Sequence, residues 1–498
     1  MKTHPMNLGK RPTSVTLLLF ALVICMSFTL FAGCADEKQG DAITTEPAAT
    51  TPPATEAVDS EPNFPDVSFY REIKILQSSD LALEEWNSEE EGNVILEQAI
   101  VDKISYLEEK YTIEFSYLYS SKKEFTDRVT TPIQGQYGAY DFISFDPAYL
   151  TGLANKGLLR TIQSVENIDL DNEWWSQSVN RRLAYKGNNF FAVGASNVNA
   201  NWRTSGVFFN KTIASAIGVS ASELYRLVND HAWTLEAMLS YAKLATQDSG
   251  DGTDVISAND TFGVLQTEAW YSSIMGYGIA LATTDEEGKF VVNKIEQSLI
   301  DAVTEVIVYM NDTDIALPVS ARSGLDEWKQ FYNGKGLFLL EGIAVSKQIR
   351  NYDVDYGILP SPLGETGQAE YYNYIHHGHS SATAVPVDVM NEDLPMIGAL
   401  LEEANYISRK EVWPSFYDTL MKGQIARDPE SAAVLDIIFN SMTTDPGIVY
   451  GNAIDQAIRT MIRENQSTAV SSKLNTAAEN LQTILNGVNE SYESFLNK

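Results

Sequence analysis

From residue 71 onward the apolar positions switch between two periods. Ile73-Lys74-Ile75-Leu76 reads as a strand. Leu96, Ile100, Ile104, Leu107 and Tyr111 then recur at helical spacing, and Ile113, Phe115 and Tyr117 alternate with polar residues as a strand does. A short helical piece around Phe125 and Val129 leads to Asp141-Phe142-Ile143-Ser144-Phe145. This β-α-β-α-β order predicts an α/β fold with a mainly parallel sheet flanked by helices. Ligands of such sheets bind beyond the carboxyl ends of the strands. Further on, Ser220-Ala221-Ser222-Glu223 fits a capping box, and Thr234 fits the N-cap of a helix running to about Leu244. Leu474, Ala478, Leu481, Leu485, Val488 and Tyr492 share one face of a closing helix.

Ahead of this region, Val15 to Phe31 is almost unbroken apolar sequence behind Lys2, Lys10 and Arg11, the order of a secretory signal. Its length also suits a membrane-spanning anchor. Phe31-Ala32-Gly33-Cys34 resembles the bacterial lipobox, which implies that residues 1–33 are a signal peptide and that Cys34 is acylated. The location expected is extracytoplasmic, held at the cell membrane by a lipid anchor. Residues 34–66 are rich in Ala, Thr, Pro and acidic side chains, too little apolar surface to offset ordering, and are expected to be a disordered tether. Such a chain reaches on the order of 30 Å.

Cys25 is the only other cysteine and precedes Cys34, so no disulfide framework is available. Of 35 basic residues, Lys2, Lys10 and Arg11 precede Cys34, leaving 32 against 67 acidic ones and a mature charge of −35. Phosphate binding needs clustered cations, so nucleic acid is excluded as a partner.

Several segments appear in an ordered series: Tyr140-Asp141-Phe142-Ile143 with Leu153-Ala154-Asn155-Lys156-Gly157-Leu158-Leu159, Gly206-Val207-Phe208-Phe209-Asn210-Lys211, Trp233-Thr234-Leu235, Asp251-Gly252 with Phe262-Gly263, Phe331-Tyr332-Asn333-Gly334-Lys335-Gly336, and Asp355-Tyr356-Gly357-Ile358-Leu359-Pro360. Together, over nearly all of residues 70 to 465, the chain resembles family 1 extracellular solute-binding proteins, the group that includes maltose-binding protein. The resemblance implies a two-lobed periplasmic-binding-protein-like fold of type II with a hinged cleft. Chain crossings are expected near 201–203, 376–379 and 421–427. Lobe 1 would combine 67–201 with 379–422, and lobe 2 would combine 203–375 with 423–498. It also implies a monomer that captures a small polar solute, a mono- or oligosaccharide, and delivers it to ABC permease subunits, without catalytic residues, cofactor or metal. The alternatives are a secreted carbohydrate-active enzyme, and a sensor or adhesin on the same fold.

Phe145, Asp146 and Tyr149 follow the strand ending at Ser144, and the resemblance places them at the cleft, where a ring can pack on a sugar and a carboxylate can accept from hydroxyls. The alternative makes Phe145 core and Asp146 the cap of a helix entered at Pro147. Ser78 and Ser79 follow the first strand and share the claim. Arg203, with Trp202 beside it, precedes Gly206-Val207-Phe208 at an expected crossing, where a guanidinium can bind hydroxyls or a carboxylate, or form a salt bridge within an acidic protein. Glu268 and Trp270 fall where the second lobe would offer cleft residues, with core packing as the alternative for the ring. Glu341-Gly342-Ile343-Ala344 lacks the tryptophan that maltose binders place near this glycine, and Trp413 would compensate from another loop. Trp86, Trp174, Trp175, Trp233 and Trp328 are assigned to packing or the cleft rim.

In an extended segment His377 and His379 share a face and His376 points away, which completes no tetrahedron and predicts a polar hinge rather than zinc. Gly378-His379-Ser380-Ser381-Ala382 superficially resembles a nucleophile elbow, but Pro386 would break the helix that motif requires. Around Asp248 to Asp254 a calcium loop would need ligands where Gln247 and Ala258 stand, so a helix-ending turn is expected. Cys34→Ser is expected to abolish fatty-acid labelling and release the protein from membranes; unchanged labelling and retention would sink the lipobox assignment.

Overall fold

In the computed structural model the described residues are 62, 64–81, 83–87, 94–250, 256–266, 270–318, 325–349, 351–420 and 429–497. Cys34, nearly all of the expected tether, Glu268, Asp251 and the expected crossing at 421–427 lie outside them. No helix among the described residues is long and apolar enough to cross a membrane.

The predicted alternation is realised as strand Arg71–Ser78, helix Val94–Tyr111, strand Ile113–Ser120, helix Phe125–Gln134 and strand Phe142–Phe145. Leu96, Ile100, Ile104, Leu107 and Tyr111 are all buried, so the helical stripe is the face laid on the sheet. Arg71–Ser78 pairs in parallel with Ile113–Ser120 and Phe142–Phe145, and Ala382–Ala384 closes the other edge antiparallel to Phe142–Phe145. The second sheet runs Phe262–Gln266, Gly336–Gly342, Ser205–Asn210, Tyr356–Leu359. Its first pair is parallel, whereas Ser205–Asn210 is antiparallel to both neighbours. Mainly parallel pairing therefore describes the first sheet, and the second is mixed.

Local signals are obeyed. Ser220 Oγ accepts from Glu223 N at 3.1 Å to open helix Ala221–Asn229, and Thr234 Oγ1 accepts from Ala237 N at 3.1 Å to open Leu235–Ala245. That second helix lies directly on the second sheet because Gly263 has no side chain; a Cβ there would overlap the Ala242 carbonyl. The closing helix Val470–Leu496 buries Leu474, Leu481, Leu485, Val488 and Tyr492. Tyr492 packs on Phe190 and on Tyr185.

The chain leaves the first sheet after Phe145, enters the second at Ser205, and returns between Leu359 and Ala382. The two passages run side by side: Thr204 bridges Ile375 in antiparallel fashion, and His376 N donates to Arg203 O at 3.1 Å. Both are tied to a buried carboxylate. Glu85 Oε1 accepts from Asn199 N and from Ser381 Oγ, each at 2.6 Å, while Oε2 accepts from Ser144 Oγ at 3.0 Å. Burial raises the Glu85 pKa, opposed by these hydrogen bonds. Beneath it, Lys103 Nζ donates to Glu85 O at 3.0 Å and lies 4.5 Å from the Trp86 ring. Removing the carboxylate leaves buried donors unpaired, each costing about 1–3 kcal/mol. Glu85→Ala should therefore lower the unfolding free energy by about 3 kcal/mol in urea titration; a loss below about 1 kcal/mol would show that the carboxylate holds nothing.

Candidate ligand cleft

Loops at the carboxyl ends of the first-sheet strands converge on one residue, Lys122. Asp80 Oδ2 accepts from Lys122 N at 2.7 Å. Lys122 Nζ in turn donates to the Gly378 carbonyl, meets His379 Nδ1 at 3.0 Å and lies 3.4 Å from Asp146 Oδ1. Asp146 occupies the N-cap position of helix Pro147–Ala154, yet its side chain makes no capping bond. The capping alternative is thus not what the structure builds. Asp146 is fully buried, and neither carboxylate oxygen has a hydrogen-bond partner among the described residues. Burial pushes its pKa up to about 7 against the pull of Lys122.

From the second sheet, Glu341 stands at the end of strand Gly336–Gly342 and faces the guanidinium of Arg203. Burial lowers the Arg203 pKa, while the carboxylates of Glu341 and Asp146 oppose that shift. Arg203 Nε is buried without a partner among the described residues. Arg203, Ser205, Ser272, Glu341, Gly342, Tyr374 and His376 line a cavity of about 30 Å³. That is room for a water and not for a sugar ring, so admission of a solute requires these walls to part.

The histidines do not adopt the extended arrangement expected. Residues 377–379 turn, with His379 N donating to His376 O at 3.3 Å, so the rings gather: His376 stacks on His377 at 5.3 Å and 5° and lies 5.0 Å from His379. Burial brings His377 and His379 down to about 4 and His376 well below its usual value, helped by neighbouring Arg and Lys charges. At neutral pH these are uncharged imidazoles, each able to donate and to accept. Among the described residues no group of three His, Cys, Asp or Glu is arranged to hold a metal. Ser380 and Ser381 lead into strand Ala382–Ala384 rather than a helix, with Ser381 bound to Glu85.

The remaining sequence candidates separate. Ser78 is buried at its strand end with Oγ accepting from Asp80 N at 3.3 Å, and Ser79 is exposed. Phe145 is fully buried, stacked on Phe125 at 3.9 Å, with part-buried Tyr149 edge-on at 5.8 Å. Trp202 and Trp413 both pack on Phe416, at 4.7 and 5.6 Å, and neither lines the cavity. Trp270 is fully buried and donates Nε1 to Asp455 Oδ1 at 2.9 Å. Lys122, missed in the sequence, follows the second strand as Ser79 follows the first and Asp146 the third, and that shared position was its signal.

No protein-family model matches the sequence, and no curated protein matches it. Solved structures do match in fold. An ABC substrate-binding protein of Listeria monocytogenes in complex with cycloalternan aligns with TM-score 0.56 at 14% identity, over 84% of this chain and 100% of its own. A sugar transporter of Rhizobium etli in an open conformation gives 0.53 at 15%, over 82% and 98%. An ABC-transporter solute-binding protein of Thermotoga lettingae bound with α-D-tagatose gives 0.51 at 15%, over 83% and 100%. At these identities the likeness is one of fold, and the fold is the two-lobed α/β architecture of ABC solute-binding proteins.

A raised carboxylate pKa favours the protonated native state. The stability it contributes is full below about 4 and is lost as pH rises through about 7. Asp146→Asn removes this dependence. The unfolding free energy of the variant minus that of the wild type should grow between pH 5 and pH 8 by on the order of 2–4 kcal/mol. A difference flat across that range would mean that Asp146 titrates as an ordinary surface carboxylate.

Proposed function

We propose that this chain is the solute-binding component of an ABC importer and that its solute is a mono- or oligosaccharide, held where the two passages between the sheets meet. The observation that best supports this is that Arg203 and Glu341, beside the second sheet, line one cavity with His376, while the Asp146 carboxyl beyond the first sheet lies near enough to act on the Arg203 charge. An acceptor, a five-donor fork and neutral imidazoles suit hydroxyl groups, which donate and accept at once. Fold relatives carrying cycloalternan and tagatose support a saccharide, and the open Rhizobium protein supports a cleft that parts.

On this proposal residues 67–201 with 379–422 form one lobe, and 203–375 with 423–498 the other. Closure is a hinge motion about Thr204–Ile375, where two short paired segments can absorb the backbone change. Capture is binding without chemistry, so Asp146 and Arg203 are ligand-holding groups rather than catalytic ones. Delivery goes to permease subunits, and the chain acts as a monomer tethered through lipid on Cys34 with residues 34–66 as spacer.

A ligand that binds only the folded state raises its melting midpoint. In a thermal-shift screen over sugars, amino acids and short peptides, a saccharide is expected to give the shift. Arg203→Ala should weaken that saccharide about tenfold or more, since it leaves buried polar partners unpaired. A shift from amino acids or peptides alone would remove the sugar assignment.

A further inference from the structure

The chain has 8 tryptophans, and Trp328, 39% exposed, stands apart from the buried indoles. Trp86, Trp202, Trp233 and Trp270 are each at most 1% exposed. Leaving an indole face in water forgoes burial that a ring of this size could contribute. Trp328 is nonetheless held in place: its Nε1 donates to Glu341 Oε2 at 3.2 Å, and Glu341 Oε1 accepts from Gly342 N at 2.9 Å. Glu341 and Gly342 line the cavity at Arg203, so the edge of the indole is fixed at the cavity rim. Tyr332 follows one turn later on the same face of helix Glu327–Tyr332. Tyr352, 44% exposed, stacks on Tyr332 at 4.6 Å and 20°, and Tyr332 is anchored by its hydroxyl to Gln348 at 2.9 Å. Trp328 is thus an exposed indole next to an exposed tyrosine stacked on a buried one.

We infer that Trp328 is the platform of an outer subsite, on which a second sugar ring of an oligosaccharide stacks while the first is held at Arg203 and Glu341. The inference rests on the proposed capture of a saccharide and narrows it to an oligosaccharide. A cavity of about 30 Å³ must widen to admit even one ring, and Trp328 stands beside its Glu341 wall, within reach of a ring that follows the first. There the indole offers an apolar face for the C–H face of a pyranose, and the Glu341 carboxylate fixes the orientation of the platform.

The test uses the wild type, Trp328→Phe and Trp328→Ala with glucose, mannose and xylose against maltotriose, mannotriose and xylotriose. Acrylamide quenching in the wild type reads the exposed indole without any mutation. The trisaccharide that raises the melting midpoint should shield that quenchable fraction, while its monosaccharide leaves it open. Trp328→Ala should weaken the trisaccharide about tenfold and the monosaccharide less than twofold, with Trp328→Phe between. If a trisaccharide binds Trp328→Ala like wild type, or leaves the indole quenchable, the subsite is lost while saccharide capture stands. The same follows if only monosaccharides bind. If no saccharide binds any form, both ideas fall.

Discussion

The Glu85 carboxyl is removed from water, and the segments that carry Asp146, Arg203 and His379 are rooted on what it holds. Its two oxygens take hydrogen bonds from Ser144, Asn199 and Ser381, three points far apart in the chain. Ser144 precedes Asp146 by two residues, Asn199 precedes Arg203 by four, and Ser381 follows His379 by two. A single desolvated carboxyl thus ties together the roots of three segments that reach the site. A carboxyl so buried is tolerable only if its hydrogen bonds are made, which is why its geometry is restrictive: displacing any one segment leaves a buried polar group unpaired. Lys103 below it supplies the opposing charge, at the cost of its own desolvation, which lowers its pKa to about 8.

Above that anchor the balance is reversed. Asp146 is as buried as Glu85 but is paired only loosely, with Lys122 Nζ at 3.4 Å from Oδ1, and the buried Nε of Arg203 lacks a hydrogen-bond partner among the described residues. Unmade bonds of this kind destabilise the empty state and are available to a ligand that supplies hydroxyls. Rings contribute differently: Phe145, Trp202 and Trp270 are committed to packing and none of them lines the cavity.

Elements set by local periodicity were legible in the sequence. The stripe from Leu96 to Tyr111, the caps at Ser220 and Thr234 and the closing helix each depend on residues within a turn or two of one another. What depended on distant pairing was not. The antiparallel neighbours of Ser205–Asn210 come from strands more than a hundred residues away, and nothing in Gly206-Val207-Phe208 specifies direction. Glu85 lies 59, 114 and 296 residues from its partners, so Leu83-Glu84-Glu85-Trp86 gave no sign of a hub. Asp146 was expected just beyond the third strand and Arg203, by resemblance, at a passage between sheets, and both stand there, but the missing cap bond at Asp146 was not legible, because Asp before Pro is an ordinary helix entry. The histidines were misplaced for a local reason: one backbone bond, His379 N to His376 O, turns a segment expected to be extended.

The central claim is that two lobes, joined at the paired passages, part to admit a saccharide and close on it. Distance measurement between lobes tests it most directly. Tyr106 on helix Val94–Tyr111 and Leu244 on helix Leu235–Ala245 are exposed, one beside each sheet, and accept paired spin labels through cysteine substitution in a Cys25→Ser, Cys34→Ser background. The account predicts a broad or bimodal distance distribution without sugar that collapses to a single shorter distance at saturating saccharide. An identical distribution with and without a tightly bound saccharide would contradict it.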